Sequence, residues 1–215
     1  IFLKKGYSLQ RTYALSKLES AMMPAIQVAL LVLVVTAPAF IFFSQKGPGA
    51  MHAPWLISLA AGLVVGGLSQ FSRLCTVGGF RDLFLFKKSI LIFGYLAVLV
   101  GVFVVNISFG NFHLGFENQP IAHTDGLWNF LGMALAGFCS VLLGGCPLRQ
   151  LIMTGEGNSD SAVTVLGLAA GAAFAHNFGL AASGAGPTLN GQIAVGIGFV
   201  VALIIAVLNT KRSNA

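Results

Sequence analysis

The chain has 215 residues, of which 56% are hydrophobic and only 8% are charged, and this composition excludes an ordinary soluble domain. Its formal net charge of +6 comes mostly from basic residues in short segments between apolar runs, a pattern typical of cytoplasmic loops in a multi-pass membrane protein. Nothing in the composition indicates nucleic-acid binding. The three cysteines form no CxxC pair and no Cys/His spacing, which argues against a disulfide framework, a metal site or a cofactor site.

The N-terminal segment, residues 1–24, is basic and lacks the layout of a cleavable signal peptide, so it predicts a cytoplasmic loop. The chain begins at Ile1. We therefore expect either the C-terminal portion of a longer protein or a half-sized chain that works with a partner. We treat residues 1–215 as a single integral membrane domain.

Apolar runs predict six membrane-spanning helices, the first carrying Pro38 as a possible kink. Residues 83–88 predict a short helix at the membrane boundary. The polar loop at 110–126 has no Lys or Arg and should lie outside the cell. Both termini are therefore expected in the cytoplasm. The expected location of the protein is the inner (plasma) membrane. The fold class is an all-α polytopic membrane bundle. Its predicted spans are 26–43, 55–71, 89–109, 127–143, 161–182 and 191–208.

The most informative motif lies between the fourth and fifth spans, where Gly144, Gly145 and Pro147 surround Cys146. Glycines permit unusual backbone angles and proline cannot continue the preceding helix, but proline is a good first residue of a new one. The pattern predicts a broken helix with Cys146 at the start of its second part. Unpaired N–H groups at such a start favour a thiolate or a bound anion.

A similar break surrounds Cys75, 71 residues earlier, where Gly78 and Gly79 predict a glycine-rich bend after the cysteine. Gly66 and Gly137 precede the two cysteines by equal distances, and Asn106 and Asn177 follow them by equal distances. Chance matches among many glycines are the alternative explanation. The spacing predicts two parallel repeat units, 55–110 and 127–182, related by an axis along the membrane normal. Broken helices at matching positions of two repeats indicate a transporter binding site.

Several other residues have a structural as well as a functional interpretation. Cys139 is best explained as a small buried side chain within a span. Gly167 and Gly171 predict close helix packing. The substrate-pathway candidates are Cys75, Cys146, Arg81, Arg149, Gln150, Asn106, His176 and Asn177. For the arginines the alternative is a basic residue at the cytoplasmic edge, and for His176 and Asn177 it is hydrogen bonding between helices.

The segments 72–83 and 144–151, supported by 155–160 and 175–179, resemble the YeeE/YedE family of sulfur-compound transporters, and more narrowly its members assigned to selenium transport. The resemblance covers about residues 55–208 and corresponds to the C-terminal half of full-length members. It implies an hourglass helical protein in which cysteine thiols relay a sulfur anion such as thiosulfate by weak S–H hydrogen bonds. By motif, Cys75 and Cys146 would be two relay thiols, and a further relay cysteine belongs to the N-terminal half.

The resulting expectation is a transporter, not an enzyme, for a small sulfur- or selenium-containing inorganic anion. It needs no cofactor. Its expected partners, besides the lipid bilayer, are the missing half, another copy of the chain or a cytoplasmic sulfur-carrier protein. One alternative is a membrane thiol protein that passes sulfur or reducing equivalents to a partner. Another is a structural half that only completes a pore built by a second subunit.

Overall fold

The computed structural model describes residues 16–37, 53–115 and 123–212, with side chains as far as residue 209. Pro38, most of the predicted N-terminal loop and residues 116–122 of the predicted 110–126 loop lie outside the described residues. The described part is helical, as the composition predicted. Its helices are α1 (Lys17–Thr36), α2 (Trp55–Ser72), α3 (Thr76–Phe86), α4 (Ile90–Ser108), α5 (Gly126–Leu142), α6 (Pro147–Gly155), α7 (Ser159–Asn177) and α8 (Leu189–Arg212).

Five segments of the described chain are long and apolar enough to cross a membrane. They are Lys17–Thr36, Trp55–Phe86, Ile90–Ser108, Gly126–Gly155 and Leu189–Asn209. The predicted span at 161–182 coincides with α7, which has 19 residues but is not among these five. Polar residues at both ends of α7 lower its mean hydropathy, so we describe it as a long helix rather than as a sixth apolar span.

Helix α1 begins at Lys17, well before the predicted start of the first span at 26, and the expectation of a loop through residue 24 is wrong for its last part. The cause is a capping box. Ser16 accepts a hydrogen bond from the Glu19 backbone N–H, and the Glu19 carboxylate accepts one from the Ser16 backbone N–H at 2.8 Å. These two bonds satisfy donors that an uncapped helix start leaves free.

Two of the five spans are broken helices, each made of a long helix followed by a short one. The first break falls at Arg73 (φ 51°) between α2 and α3, and the second at Gly144 (φ 76°) between α5 and α6. The predicted bend at Gly78 and Gly79 is wrong, because both glycines lie inside α3. They are buried there, and a Cβ on Gly79 would lie 3.4 Å from the Ile92 backbone nitrogen, so these glycines allow α3 to approach α4 closely.

The helices pack mainly in pairs: α3 on α4, α5 on α8, and α6 on α7, with smaller contacts of α6 with α1 and α2 and of α3 with α5. The apolar core is small and centres on Leu142, Ala202 and Ala206, with Cys139 packed against it. Most large apolar side chains are exposed, which suits a lipid surrounding. Gly167 and Gly171 contact no described residue where a Cβ would stand, so the close packing predicted there is not found.

Candidate functional site: two thiols at helix starts

Cys146 is the N-cap residue of α6, and Pro147 is the first residue of that helix, as the sequence predicted. The residue is buried, with 5% of its surface exposed. Its extended backbone (φ −70°, ψ 162°) turns the chain from the break into the helix. The peptide N–H groups of the first helical turn, which have no partner within the helix, therefore point toward the region of this thiol.

Cys75 occupies the same position in the other break, as the N-cap residue of α3. The backbone N–H of Gly78 donates to Sγ of Cys75 at 3.3 Å. The sulfur thus accepts the N-cap hydrogen bond that a serine or aspartate oxygen usually accepts at a helix start. Cys75 is also buried, with 8% of its surface exposed. A Cβ on Gly78 would lie 3.4 Å from this sulfur, so the glycine leaves room beside the thiol.

The two thiols lie close enough to interact with each other, although the sequence separates them by 71 residues. Sγ of Cys146 also lies near the backbone N–H and hydroxyl of Thr76 and near the backbone N–H of Arg149, but no side-chain hydrogen bond of standard geometry caps α6. The starts of α3 and α6 thus converge. Two soft sulfur atoms and several N–H donors share one buried place at the ends of two broken helices.

Gln150 makes a structural hydrogen bond that the sequence did not predict. Its side chain is buried, with the residue 2% exposed, and Nε2 donates to the backbone carbonyl of Leu143 at 3.1 Å. The amide therefore satisfies the last carbonyl before the break and ties α5 to α6. The Thr154 hydroxyl donates to the Gln150 carbonyl at 2.8 Å, which continues this buried polar contact along α6. Through this hydrogen bond Gln150 is a clamp on the break, and its role in a substrate pathway stays a prediction.

A cavity of about 140 Å³ lies behind the second break, and neither Cys75 nor Cys146 lines it. Its walls are almost entirely apolar and come from α5, the break, α6 and α7. The lining residues are Ala136, Cys139, Ser140, Leu143, Gly145, Pro147, Gln150, Thr164 and Leu168. Cys139 faces this cavity as well as the apolar core, which agrees with its interpretation as a structural residue.

Arg149 is held in a polar network that joins the two broken helices. Its guanidinium donates to Oε1 of Gln70 at 3.2 Å and forms an ion pair with Glu156 at 3.4 Å. The Gln70 amide in turn donates from Nε2 to Oε1 of Glu156, which closes a triangle of three side chains. Gln70 lies five residues before Cys75, and Arg149 lies three residues after Cys146.

The other predicted pathway residues lie away from the thiols. Arg81 is on α3, and its exposed side chain pairs with the adjacent Asp82 at 2.9 Å. Asn106 is in the last turn of α4, about 22 Å along the axis from Leu91, the residue that flanks Cys75 and Gly78.

His176 and Asn177 end α7, and both are exposed. Asn177 donates to the Ala173 carbonyl of its own helix at 2.8 Å. His176 lies about 12 Å along the helix axis from Leu168, which lines the cavity behind the second break. These two side chains and Asn106 are not part of the cluster around Cys75 and Cys146.

Sequence reasoning missed three residues of the cluster: Gln70, Thr76 and Glu156. The sequence could have indicated that Gln70 has a hydrogen-bond partner, because a polar side chain near the end of an apolar span is costly without one. It gave no such indication for Thr76 and Glu156, because a threonine after a cysteine and a glutamate in a glycine-rich turn are both ordinary at a helix boundary. Their importance depends on contacts between segments far apart in sequence.

A family model described as sulphur transport matches residues 71–211, which include both cysteine-bearing breaks and most of the helices. The chain belongs to the YeeE/YedE sulphur-transport family. No curated protein and no solved structure matches it.

As a YeeE/YedE family member, the chain is a multi-pass membrane protein and a sulphur transporter, and the family is one of transporters and not of enzymes. Within the described residues, no group of three or more His, Cys, Asp or Glu side chains is placed to hold a metal ion. The site is therefore described by its thiols, its N–H donors and the Arg149 network.

Proposed function

We propose that this YeeE/YedE family member passes a small sulfur-containing anion across the membrane along a path that runs between Cys75 and Cys146. The observation that carries the proposal is the meeting of two buried thiols at the starts of two short helices. Irregular backbone at membrane depth is tolerated where protein buries it or water reaches it, and the breaks beside these thiols are such places.

The chemistry of the cluster suits a soft anion. A neutral thiol is a weak donor that can contact an anion without holding it tightly, and helix N-termini favour negative charge. An anion such as thiosulfate could exchange contacts from one sulfur to the other without forming a covalent bond. A selenium oxyanion or selenium analogue of similar size and charge would meet the same groups, so we include it in the proposed substrate class. The two breaks would correspond to two repeat units, 55–110 and 127–182.

Of the two candidate arginines, Arg149 is better placed than Arg81 to attract the anion. The side chain of Arg149 is 18% exposed, and its backbone N–H lies near the sulfur of Cys146. The side chain of Arg81 is 57% exposed and pairs with its neighbour Asp82. An enclosed cation attracts an anion more strongly than a solvated one because screening is weaker. Arg149 would therefore supply the positive charge along the path.

The test is uptake of radiolabelled thiosulfate by proteoliposomes that contain the protein. Cys75→Ala and Cys146→Ala should each reduce the initial uptake rate by about tenfold or more, because each variant loses a hydrogen bond to a charged group, worth about 1.5–3 kcal/mol. Cys139→Ala is the matched control, because Cys139 packs against the α5–α8 core and should leave uptake close to the wild-type rate. Full uptake by both single variants would refute the proposal.

A second candidate function is a membrane thiol protein that passes sulfur or reducing equivalents to a partner. The closeness of Cys75 and Cys146 favours it, because a second thiol near the first is what a persulfide or mixed disulfide needs for its release. Mass spectrometry of protein trapped during turnover distinguishes the two functions. A persulfide or mixed disulfide on Cys146 supports the thiol chemistry, and unmodified cysteines together with steady uptake support passage of the anion.

A further inference from the structure

The network of Gln70, Arg149 and Glu156 connects to the thiol pair through Arg149, whose backbone N–H lies near the sulfur of Cys146. Neither family membership nor the thiols themselves explain this network. Gln70 uses both ends of its amide, accepting from Arg149 through Oε1 and donating to Glu156 through Nε2. Only this orientation of the amide satisfies both neighbours, because a guanidinium only donates and a carboxylate only accepts. Gln70 thus fixes the relative position of a cation and an anion that come from the two ends of α6.

The position of Glu156 is unfavourable on its own. It is the C-cap residue of α6, where the helix carbonyls give a partial negative charge that repels a carboxylate. The Arg149 guanidinium and the Gln70 amide offset this repulsion. A residue held at an unfavourable place by its partners is easily released when one partner finds a better ligand.

The network also breaks the predicted repeat. Counted by the 71-residue offset, the positions that correspond to Gln70, Arg149 and Glu156 are Val141, Gly78 and Leu85. None of these three can form a hydrogen bond through a polar side chain. The network therefore has no counterpart at the equivalent positions, and both of its charges come from the second repeat unit.

We propose that Glu156 acts as a built-in competitor for Arg149, so that the guanidinium alternates between the Glu156 carboxylate and a passing anion. The inference rests on the proposed function. In the observed state Arg149 is paired with Glu156. When an anion reaches the thiols, Arg149 turns to it, and Glu156 remains hydrogen-bonded to Gln70. The carboxylate then recaptures the guanidinium and releases the anion. Conduction requires binding that is favourable but weak, and an uncompensated arginine would hold the anion too long.

Glu156→Gln tests this role with little change of shape, because a glutamine oxygen can still accept the hydrogen bond from Gln70. In thiosulfate uptake by proteoliposomes we expect KM and the maximal rate both to fall by about twofold to fivefold, the worth of a partly exposed ion pair. Arg149→Gln should instead raise KM. The double variant should resemble Arg149→Gln, because Glu156 acts through Arg149. Asp82→Asn removes the carboxylate of the Arg81 pair and is the matched control, with both constants unchanged.

A second measurement does not depend on transport. The rate of Cys146 modification is compared for an anionic and a cationic methanethiosulfonate reagent, with peptide mapping to assign the site. The anionic-to-cationic rate ratio should rise in Glu156→Gln and fall in Arg149→Gln, and Asp82→Asn should leave it unchanged. An unchanged ratio in Glu156→Gln, or a rise of KM in that variant, would overturn the competitor role. Absence of thiosulfate uptake by the wild-type protein would count against the proposed function, while the labelling ratio would still decide the role of Glu156.

Discussion

Replacing Gln150 by methionine should destabilise the protein in a measurable and specific way. Methionine has nearly the volume of glutamine, so the buried space stays filled, but the hydrogen bond of 3.1 Å to the Leu143 carbonyl is lost. That carbonyl belongs to the C-cap residue of α5, and no backbone N–H of the described residues donates to it. An unsatisfied buried acceptor costs about 1–3 kcal/mol of unfolding free energy.

For a chain of this length, each kcal/mol of unfolding free energy that is lost lowers the thermal midpoint by about 2–4 °C. The midpoint of Gln150→Met should therefore fall by roughly 2–12 °C. The assay is thermal unfolding in detergent with a thiol-reactive dye, because the buried Cys75 and Cys146 react faster once the breaks open. The loss of helix, followed by circular dichroism, gives an independent midpoint.

The matched control is Gln192→Met in α8. Gln192 is also partly buried, but its side chain makes no hydrogen bond within the described residues, so the same chemical change leaves no carbonyl unsatisfied there. An unchanged midpoint in Gln150→Met, or an equal fall in both variants, would refute the clamp. The substitution should also speed dye labelling of Cys146 below the midpoint, since the clamp holds the start of α6 in place.

Two further predictions concern glycines at close approaches. Gly79→Val should lower the thermal midpoint and the yield of folded protein. Even a Cβ there would lie 3.4 Å from the Ile92 backbone nitrogen, and the additional methyl groups would push α3 away from α4. A midpoint equal to that of the wild type would contradict this close approach. Gly191→Ala should also lower the midpoint, because its Cβ would lie 2.5 Å from the Leu180 carbonyl oxygen, which is backbone and cannot turn aside, whereas Gly196→Ala in the same helix meets open space and should be neutral or slightly stabilising. Equal midpoints for these two alanine variants would show that the Leu180 contact has no energetic weight.

The sequence was a good guide where the deciding interaction is local. Gly144, Gly145 and Pro147 predicted the break and the N-cap position of Cys146, because a permissive turn followed by a good first helix residue depends only on neighbours along the chain. The capping box of Ser16 and Glu19 is equally local, and its S-x-x-E pattern was present in the sequence. The basic character of the surrounding segment outweighed that pattern, so the start of α1 was placed too late.

Sequence reasoning failed where packing decides. Gly78 and Gly79 predicted a bend because glycine is flexible, but in the structure they serve contact with α4, and the bend falls on Arg73 instead. The roles of Gln70 and Glu156 depend on contacts across 79 and 86 residues of chain, which no local pattern encodes. Matching positions in the two repeat units drew attention to Asn106 and Asn177, but equal spacing from a cysteine does not bring the far end of a long helix near it.

The packing of the helices in pairs has a mechanical consequence for the thiols. Cys75 begins a short helix that is attached to α4, and Cys146 begins one that is attached to α7, so the sulfur atoms lie on opposite sides of a seam between two helical hairpins. Sliding one hairpin against the other changes the gap between the sulfurs directly, and it breaks no hydrogen bond within any helix. The distance between the two sulfurs would therefore report a displacement of one hairpin against the other.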